Sequence, residues 1–240
     1  MKEIKILHLF PQLLSLYGEY ANVLVLKHYL EKNSCIVHTD VFDDSLGSFE
    51  DYDLIFISSG TEENIVYALE LLSPHRDKIY DSIENGTMWL CCGNALAVFG
   101  EKITDSRGNC HKGLNIFSFS SFEERKRFSG DVITKDKYSK PLIGYVNNSY
   151  RFIGITEPFS ELFLNKQLGN DKVHSPEGLE YKNFIASTLT GPLLVKNPHC
   201  LEVFAEKLAG NKICIPENDN IKKAYNQTLS EMQSRLNNQK

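Results

Sequence analysis

The segment Trp89-Leu90-Cys91-Cys92-Gly93-Asn94 places two thiols where a short apolar run gives way to helical spacing. A cysteine at such a junction can serve as a nucleophile, because the sharp turn lifts its side chain out of the sheet and the helix N-terminus favours the thiolate. Gly93 suits that turn, since glycine adopts positive φ without a steric cost. A buried structural cysteine at a strand end is the other reading of the same residues. The remaining thiols, Cys35, Cys110, Cys200 and Cys214, are scattered. They form no C-x-x-C pair and no disulfide framework, and no two histidines stand at ligand spacing, so no metal site is supported. As proton carriers, His199 after Pro198 and His174 in the polar loop 170–177 could each approach a strand end. A capping or surface role is the commoner state of such residues. His8 lies in the first apolar run and shapes the core or the sheet edge, whereas His28, His38, His75 and His111 have no chemical context.

The elements that must hold these residues alternate in period. Ile4–Leu9 is an apolar run of strand length, and from Glu19 to Tyr29 Val23, Leu24, Leu26 and the following Leu30 recur at near-helical spacing. Cys35–Phe42, Asp53–Ser58 and Thr87–Cys92 read as strands. Glu62–Leu72 reads as a helix with Thr61 as N-cap, and Asn94–Phe99 as the start of another that stops at Gly100. Alternating strands and helices predict an α/β domain with a mainly parallel sheet. Beyond Gly108 four shorter β-like runs follow, Leu114–Phe119, Asp131–Thr134, Leu142–Asn147 and Phe152–Thr156, before Phe184–Leu189 and the helix Cys200–Leu208 restore the rhythm. The middle therefore reads as an insertion in one domain spanning 1–215. A helical tail, 216–240, carries the weak apolar stripe Ile221, Ala224, Leu229, Met232 and Leu236, suited to docking on its own domain or to a partner.

With 240 residues, 42% of them hydrophobic and 24% charged, the chain is neither disordered nor fibrous. A net charge of −5 leaves no basic surplus to hold a polyanion. The first residues lack the unbroken apolar core of a signal peptide, and no apolar stretch of about 18 residues occurs, so a cytoplasmic protein is expected.

Several segments, taken in order, carry a family resemblance. They are His8-Leu9-Phe10, Leu16-Tyr17-Gly18-Glu19 with Asn22, Phe56-Ile57-Ser58-Ser59-Gly60, Cys92-Gly93-Asn94 to Phe99-Gly100, and Gly113-Leu114. Arg127-Phe128-Ser129-Gly130-Asp131, Gly144-Tyr145 with Asn147, Tyr181-Lys182-Asn183-Phe184 and Leu189-Thr190-Gly191-Pro192 complete the series. The chain thus resembles class I glutamine amidotransferases of the cobyric acid synthase-like branch, in particular the glutaminase subunits of lipid II isoglutaminyl synthase. The resemblance implies a flavodoxin-like three-layer α/β sandwich. It also implies a cysteine that attacks the glutamine side-chain amide, a histidine that moves the protons, and backbone amides that hold the oxyanion. Ammonia would pass to a Mur ligase-like synthase partner, in a heterodimer that amidates the D-glutamate of lipid II; no cofactor and no metal are implied. Cys92 falls on the nucleophile when Gly86 and Gly113-Leu114 are aligned, with Cys91 as the competing register. Ser59, Gly60 and Gly93 fall on the oxyanion donors, and Arg127 on the arginine for the glutamine carboxylate, although the run Glu123–Arg127 also reads as a solvated face. Glu19 and Asn22 stand near the same site, where an acid favoured by the helix dipole is an equally good reading of Glu19. The pair Asn147-Asn148 could line the cleft or form a turn.

Three departures from the pattern stand out. Thr190 occupies the histidine position, and threonine is no general base near neutral pH. Ala95 or Leu96 replaces the glutamine after the nucleophile, and serines replace two glycines of the oxyanion loop. The resemblance thus supports two expectations: a glutaminase subunit, or an amidotransferase-fold binding module that has lost hydrolysis. A different thiol enzyme of the same superfamily is a third.

Overall fold

The computed structural model describes residues 1–42, 48–136, 140–163, 165–171 and 176–237, with side chains to 235. The first half builds a parallel sheet from β1 (Glu3–Leu9), β2 (Ile36–Val41), β3 (Leu54–Ile57) and β4 (Met88–Cys92), linked by α1 (Ala21–Lys32), α2 (Glu62–Leu72) and α3 (Arg76–Glu84). Thr61 caps α2 as expected, its hydroxyl accepting from the Asn64 amide at 3.2 Å. The helix α3 was not foreseen, because only Ile79 and Ile83 among its nine residues mark a buried face. Residues on β3 and β4 alternate between two cores. Leu54, Phe56, Leu90 and Cys92 face the layer containing α1, while Ile55, Ile57, Trp89 and Cys91 face α2 and α3.

After β4 the chain enters a 3-10 segment, Gly93–Phe99, rather than the expected α-helix. All seven residues are buried, so none of the amphipathic patterning that stabilises an α-helix is available. Its last carbonyls are taken by a loop instead: Val98 accepts from the Leu114 amide at 2.9 Å and Phe99 from the Ile116 amide at 3.0 Å. The segment Leu114–Phe119, expected as a strand, is that loop.

The remaining strands are β5 (Lys102–Thr104), β6 (Cys110–Lys112), β7 (Ser120–Asp136), β8 (Pro141–Ile153), β9 (Ser160–Leu162), β10 (Pro176–Glu177), β11 (Leu179–Tyr181), β12 (Phe184–Ser187) and β13 (Leu189–Thr190). The expected runs Asp131–Thr134 and Leu142–Asn147 lie within the long antiparallel pair β7–β8, which takes only Phe152 and Ile153 of the run Phe152–Thr156 and is interrupted by a register shift between Glu123 and Phe128. The run Phe184–Leu189 divides in two: β12 joins the first sheet beside β4, and β13 pairs with β8 in the second. Glu177 sits buried at that crossing, accepting from Ser160 Oγ at 2.8 Å, Ser187 Oγ at 3.2 Å and Thr188 Oγ1 at 3.1 Å. The first sheet has the order β11-β12-β4-β3-β1-β2 and is parallel except for β11.

Three helices close the chain: α4 (Leu193–Lys196), α5 (Pro198–Ala209) and α6 (Asn220–Asn237). Four-residue α4 and α5 share the core with α1, which makes the first sheet the middle layer of a three-layer α/β arrangement. The stripe on α6 is used internally. Met232, with Tyr225 and Leu229, packs on Ile133 of β7 and Ile143 of β8, and the Tyr225 hydroxyl donates to the Pro141 carbonyl at 2.7 Å. Ala224 is exposed, and the Leu236 side chain lies outside the described residues.

Candidate functional site

The C-terminal ends of β3 and β4 lie side by side, as the register Ile57 to Cys91 requires, so the segments that follow them meet. Ser59-Gly60 leaves β3 and Gly93-Asn94 leaves β4. Asn94 ties the two together: its Oδ1 accepts from the Gly60 amide at 3.1 Å, and its Nδ2 donates to the Gly60 carbonyl at 2.8 Å. Ser59 and Gly60 therefore stand beside Gly93.

The turn itself differs from the expected nucleophile elbow. Cys92 has extended backbone angles, φ −113° and ψ 140°, and belongs to the strand. The left-handed turn residue is Gly93, at φ 63°. A Cβ placed on Gly93 would stand 1.8 Å from Ser59 Oγ, so the space of a side chain at the turn is already filled by the serine hydroxyl. Both thiols are fully buried. Burial first, and then the nearby Glu19 carboxyl, push Cys91 and Cys92 well above the usual thiol range, which opposes thiolate formation at either register. The Cys92 sulfur accepts from Asn22 Nδ2 at 3.6 Å, and Asn22 Oδ1 in turn accepts from the Leu194 amide at 2.7 Å. Asn22 thus joins α1 and α4 to the end of β4.

Glu19 is fully buried beside this turn and does not act as a helix N-terminal acid. Its Oε2 accepts from the Ser59 amide at 2.9 Å and from Ser59 Oγ at 3.0 Å. Oε1 has no hydrogen-bond partner among the described residues and lies 3.7 Å from the position of the missing Gly93 Cβ. Desolvation, only partly offset by the two Ser59 bonds, raises this carboxyl to about 7.

Arg127 lies at the shift in β7 and reaches back across the fold. Its Nη2 pairs with Glu62 Oε1 in the first turn of α2, and its Nη1 donates to the Asn147 carbonyl at 3.2 Å and to the Tyr17 hydroxyl at 3.4 Å. Glu62 Oε1 also accepts from Ser149 Oγ at 2.6 Å. The guanidinium is thus neutralised by a residue that the spacing did not single out. Thr190 stands on β13 and donates its hydroxyl proton to the Tyr145 carbonyl at 2.6 Å. Among the described residues no histidine hydrogen-bonds Cys91 or Cys92. His199 stacks edge-on against Tyr225 of α6, with ring centroids 5.7 Å apart, and His8 against Phe56 at 4.9 Å. Burial lowers both histidines, His8 to about 4. His174 lies outside the described residues. Asn148 Oδ1 accepts from the Ser149 and Tyr150 amides at 2.9 and 3.0 Å, which is a backbone-shaping role.

The mostly parallel sheet between helical layers matches the fold of solved glutamine amidotransferases. Two solved structures share it. PurLQS from Thermotoga maritima superposes with a TM-score of 0.53 at 13% identity, covering 95% of this chain and 100% of that one. A crystal structure described as glutamine amidotransferase gives 0.54 at 13% identity, covering 85% and 98%. No family model matches the sequence. Two relatives do: the glutamine-hydrolysing lipid II isoglutaminyl synthase subunit GatD of Staphylococcus aureus, 26% identical over 214 residues and covering 88% of this chain and 87% of that one, and GatD of Streptococcus pneumoniae, 25% identical over 205 residues and covering 81% and 76%. The chain is a distant homologue of the GatD subunits of lipid II isoglutaminyl synthase. Among the described residues, no helix is long and apolar enough to cross a membrane.

Proposed function

We propose that this chain is the amidotransferase-like subunit of a two-protein cytoplasmic assembly, whose other member is a Mur ligase-like synthase that amidates the D-glutamate of lipid II, and that the subunit no longer hydrolyses glutamine. Homology to GatD over most of both chains supports the assembly. One observation carries the loss of hydrolysis: the residue at the turn apex is Gly93, with Ser59 Oγ in its side-chain space, while Cys92 remains inside the sheet. An acyl-transfer nucleophile must project toward its substrate, and Cys92 faces α1. The positions offered by the resemblance agree with this reading. Thr190 has committed its proton to a carbonyl, and the Ser59 and Gly60 amides already have acceptors. The function left to such a subunit is to complete the assembly, with ammonia reaching the synthase by another route.

The alternative, an active glutaminase with Cys92 as nucleophile, is favoured by the adjacency of Cys92 to Ser59-Gly60 at the sheet's C-terminal edge. Glutamine hydrolysis, measured for the chain alone and with a Mur ligase-like synthase from the same organism, separates the two. No ammonia release above the uncatalysed rate is expected in either case, and none is expected to be restored by Thr190→His. Hydrolysis by the complex that disappears in Cys92→Ala would establish the alternative.

A further inference from the structure

The two positions at which an amidotransferase would grip glutamine are both held by carboxyl groups of this chain. At the floor of the site, Glu19 Oε2 takes the Ser59 amide, the donor that an oxyanion would need, and its second oxygen lies toward the turn at Gly93. At the rim, Glu62 takes Arg127, the guanidinium that would bind a ligand's carboxylate. The two acids come from different elements and stand on different partners, yet each supplies the kind of oxygen that the corresponding end of glutamine would supply.

From this geometry we infer that Glu19 and Glu62 are internal surrogates for the amide and carboxylate ends of glutamine, and that they set the specificity of the cleft by excluding it. The inference rests on the reading of the chain as an amidotransferase-type subunit. The two ends contribute differently. Glu19 has nowhere to withdraw, because Asn22, Ser59 and Cys92 around it are all essentially without solvent exposure and a displaced carboxyl would lose both of its bonds. The Arg127–Glu62 pair is partly exposed and weak in itself, about 0–1 kcal/mol. It nevertheless excludes a free carboxylate, because a tethered competitor acts at an effective concentration of about millimolar or more. Ser149 and Tyr17 keep the pair in place from either side.

Titration of the full-length chain with L-glutamine, followed by amide and arginine side-chain NMR shifts, tests this. The wild type is expected to show no saturable shift into the tens of millimolar, as follows from a tethered competitor. Glu19→Ala combined with Glu62→Ala is expected to bind at least about tenfold more tightly, with shifts at Ser59 and Arg127. Glu19→Gln combined with Glu62→Ala should gain nothing at Ser59, because the amide side chain keeps the shape and an acceptor oxygen. Saturable binding to the wild type through Arg127 would overturn the inference, as would a folded double alanine variant that gains nothing. If the double variant does not fold, the milder Glu62→Gln decides. Acetate should then shift the Arg127 side-chain resonance in this variant and not in the wild type, and equal responses would overturn the inference. Capture of the synthase partner is a separate readout: its absence with the glutamine results as expected would defeat only the subunit reading.

Discussion

Glu19 changes meaning most between sequence and structure. As a residue it reads equally as an acid at the start of α1, favoured by the helix dipole, or as a neighbour of the site; in the fold it is a buried acceptor for the Ser59 amide with its proton retained to about pH 7. An unfolded carboxyl loses that proton near pH 4.3, so between roughly 4.5 and 7 the folded state binds the extra proton. Stability therefore falls as pH rises through that window, by an amount on the order of 3 kcal/mol before other groups are counted. Glu19→Gln should flatten this part of the profile, and urea titrations at pH 5 and pH 7.5 can measure it. A slope unchanged in the variant would show that Glu19 is not the titrating group. That Asp53–Ser58 and Thr87–Cys92 hold buried strands was legible in the sequence, because each contains a short, continuous apolar run, whereas the meeting of Ser59-Gly60 with Gly93-Asn94 depends on those two strands being neighbours in the sheet. The pairing of Arg127 with Glu62 was not legible, because it spans 65 positions and depends on where β7 shifts register.

At the scale of the element, the strand-to-turn junction after β4 separates two cysteines from the conformation that would use them. A junction of this kind presents whichever residue takes positive φ, and here that residue has no side chain. Gly93→Ala must adopt the left-handed region, about 1–2 kcal/mol. It must also displace Ser59 Oγ from its place and from its bond to Glu19, about 1–3 kcal/mol more. In a Ser59→Gly background the second cost is already removed, so the alanine should then cost only the first. A double-mutant cycle by denaturant unfolding reads this coupling directly. Additive losses would mean that Ser59 does not occupy the Gly93 side-chain space. Strands β3 and β4 of the first sheet were readable because each is a short, continuously buried run, as in Leu54–Ile57. The 17-residue β7 was not, since the charged run Glu123–Arg127 at its register shift resembles a solvated loop. Likewise, nothing local in Phe184–Leu189 records that Thr188 carries the chain from one sheet to the other; Glu177, from a distant strand, holds that crossing.

Across the whole molecule, α6 is the last element to be placed and the one whose role bears on assembly. Its residues Tyr225, Leu229 and Met232 pack on β7 and β8, Ile221 joins the core that holds α1, and Lys222 near its start bridges Glu202 of α5 at 3.2 Å and Glu217 at 2.7 Å. The face left outward is polar, with Lys223, Asn226, Gln227, Ser230 and Gln233 exposed. A stable protein contact needs a desolvated centre, which the described residues of this face do not offer. The helix therefore belongs to the fold of this chain, and a synthase partner of the kind proposed should bind elsewhere. Removing residues 217–240 is accordingly expected to lower unfolding stability by more than about 1 kcal/mol, because it strips Met232 and Tyr225 from Ile133 and Ile143. The same truncation, assayed at a temperature where it is still folded, should capture a Mur ligase-like synthase as well as the full chain does, if the proposed assembly forms. Loss of capture by a truncated chain with native circular dichroism would place the interface on α6 after all, whereas unchanged stability would mean that the docking of α6 on the long hairpin contributes nothing to the fold.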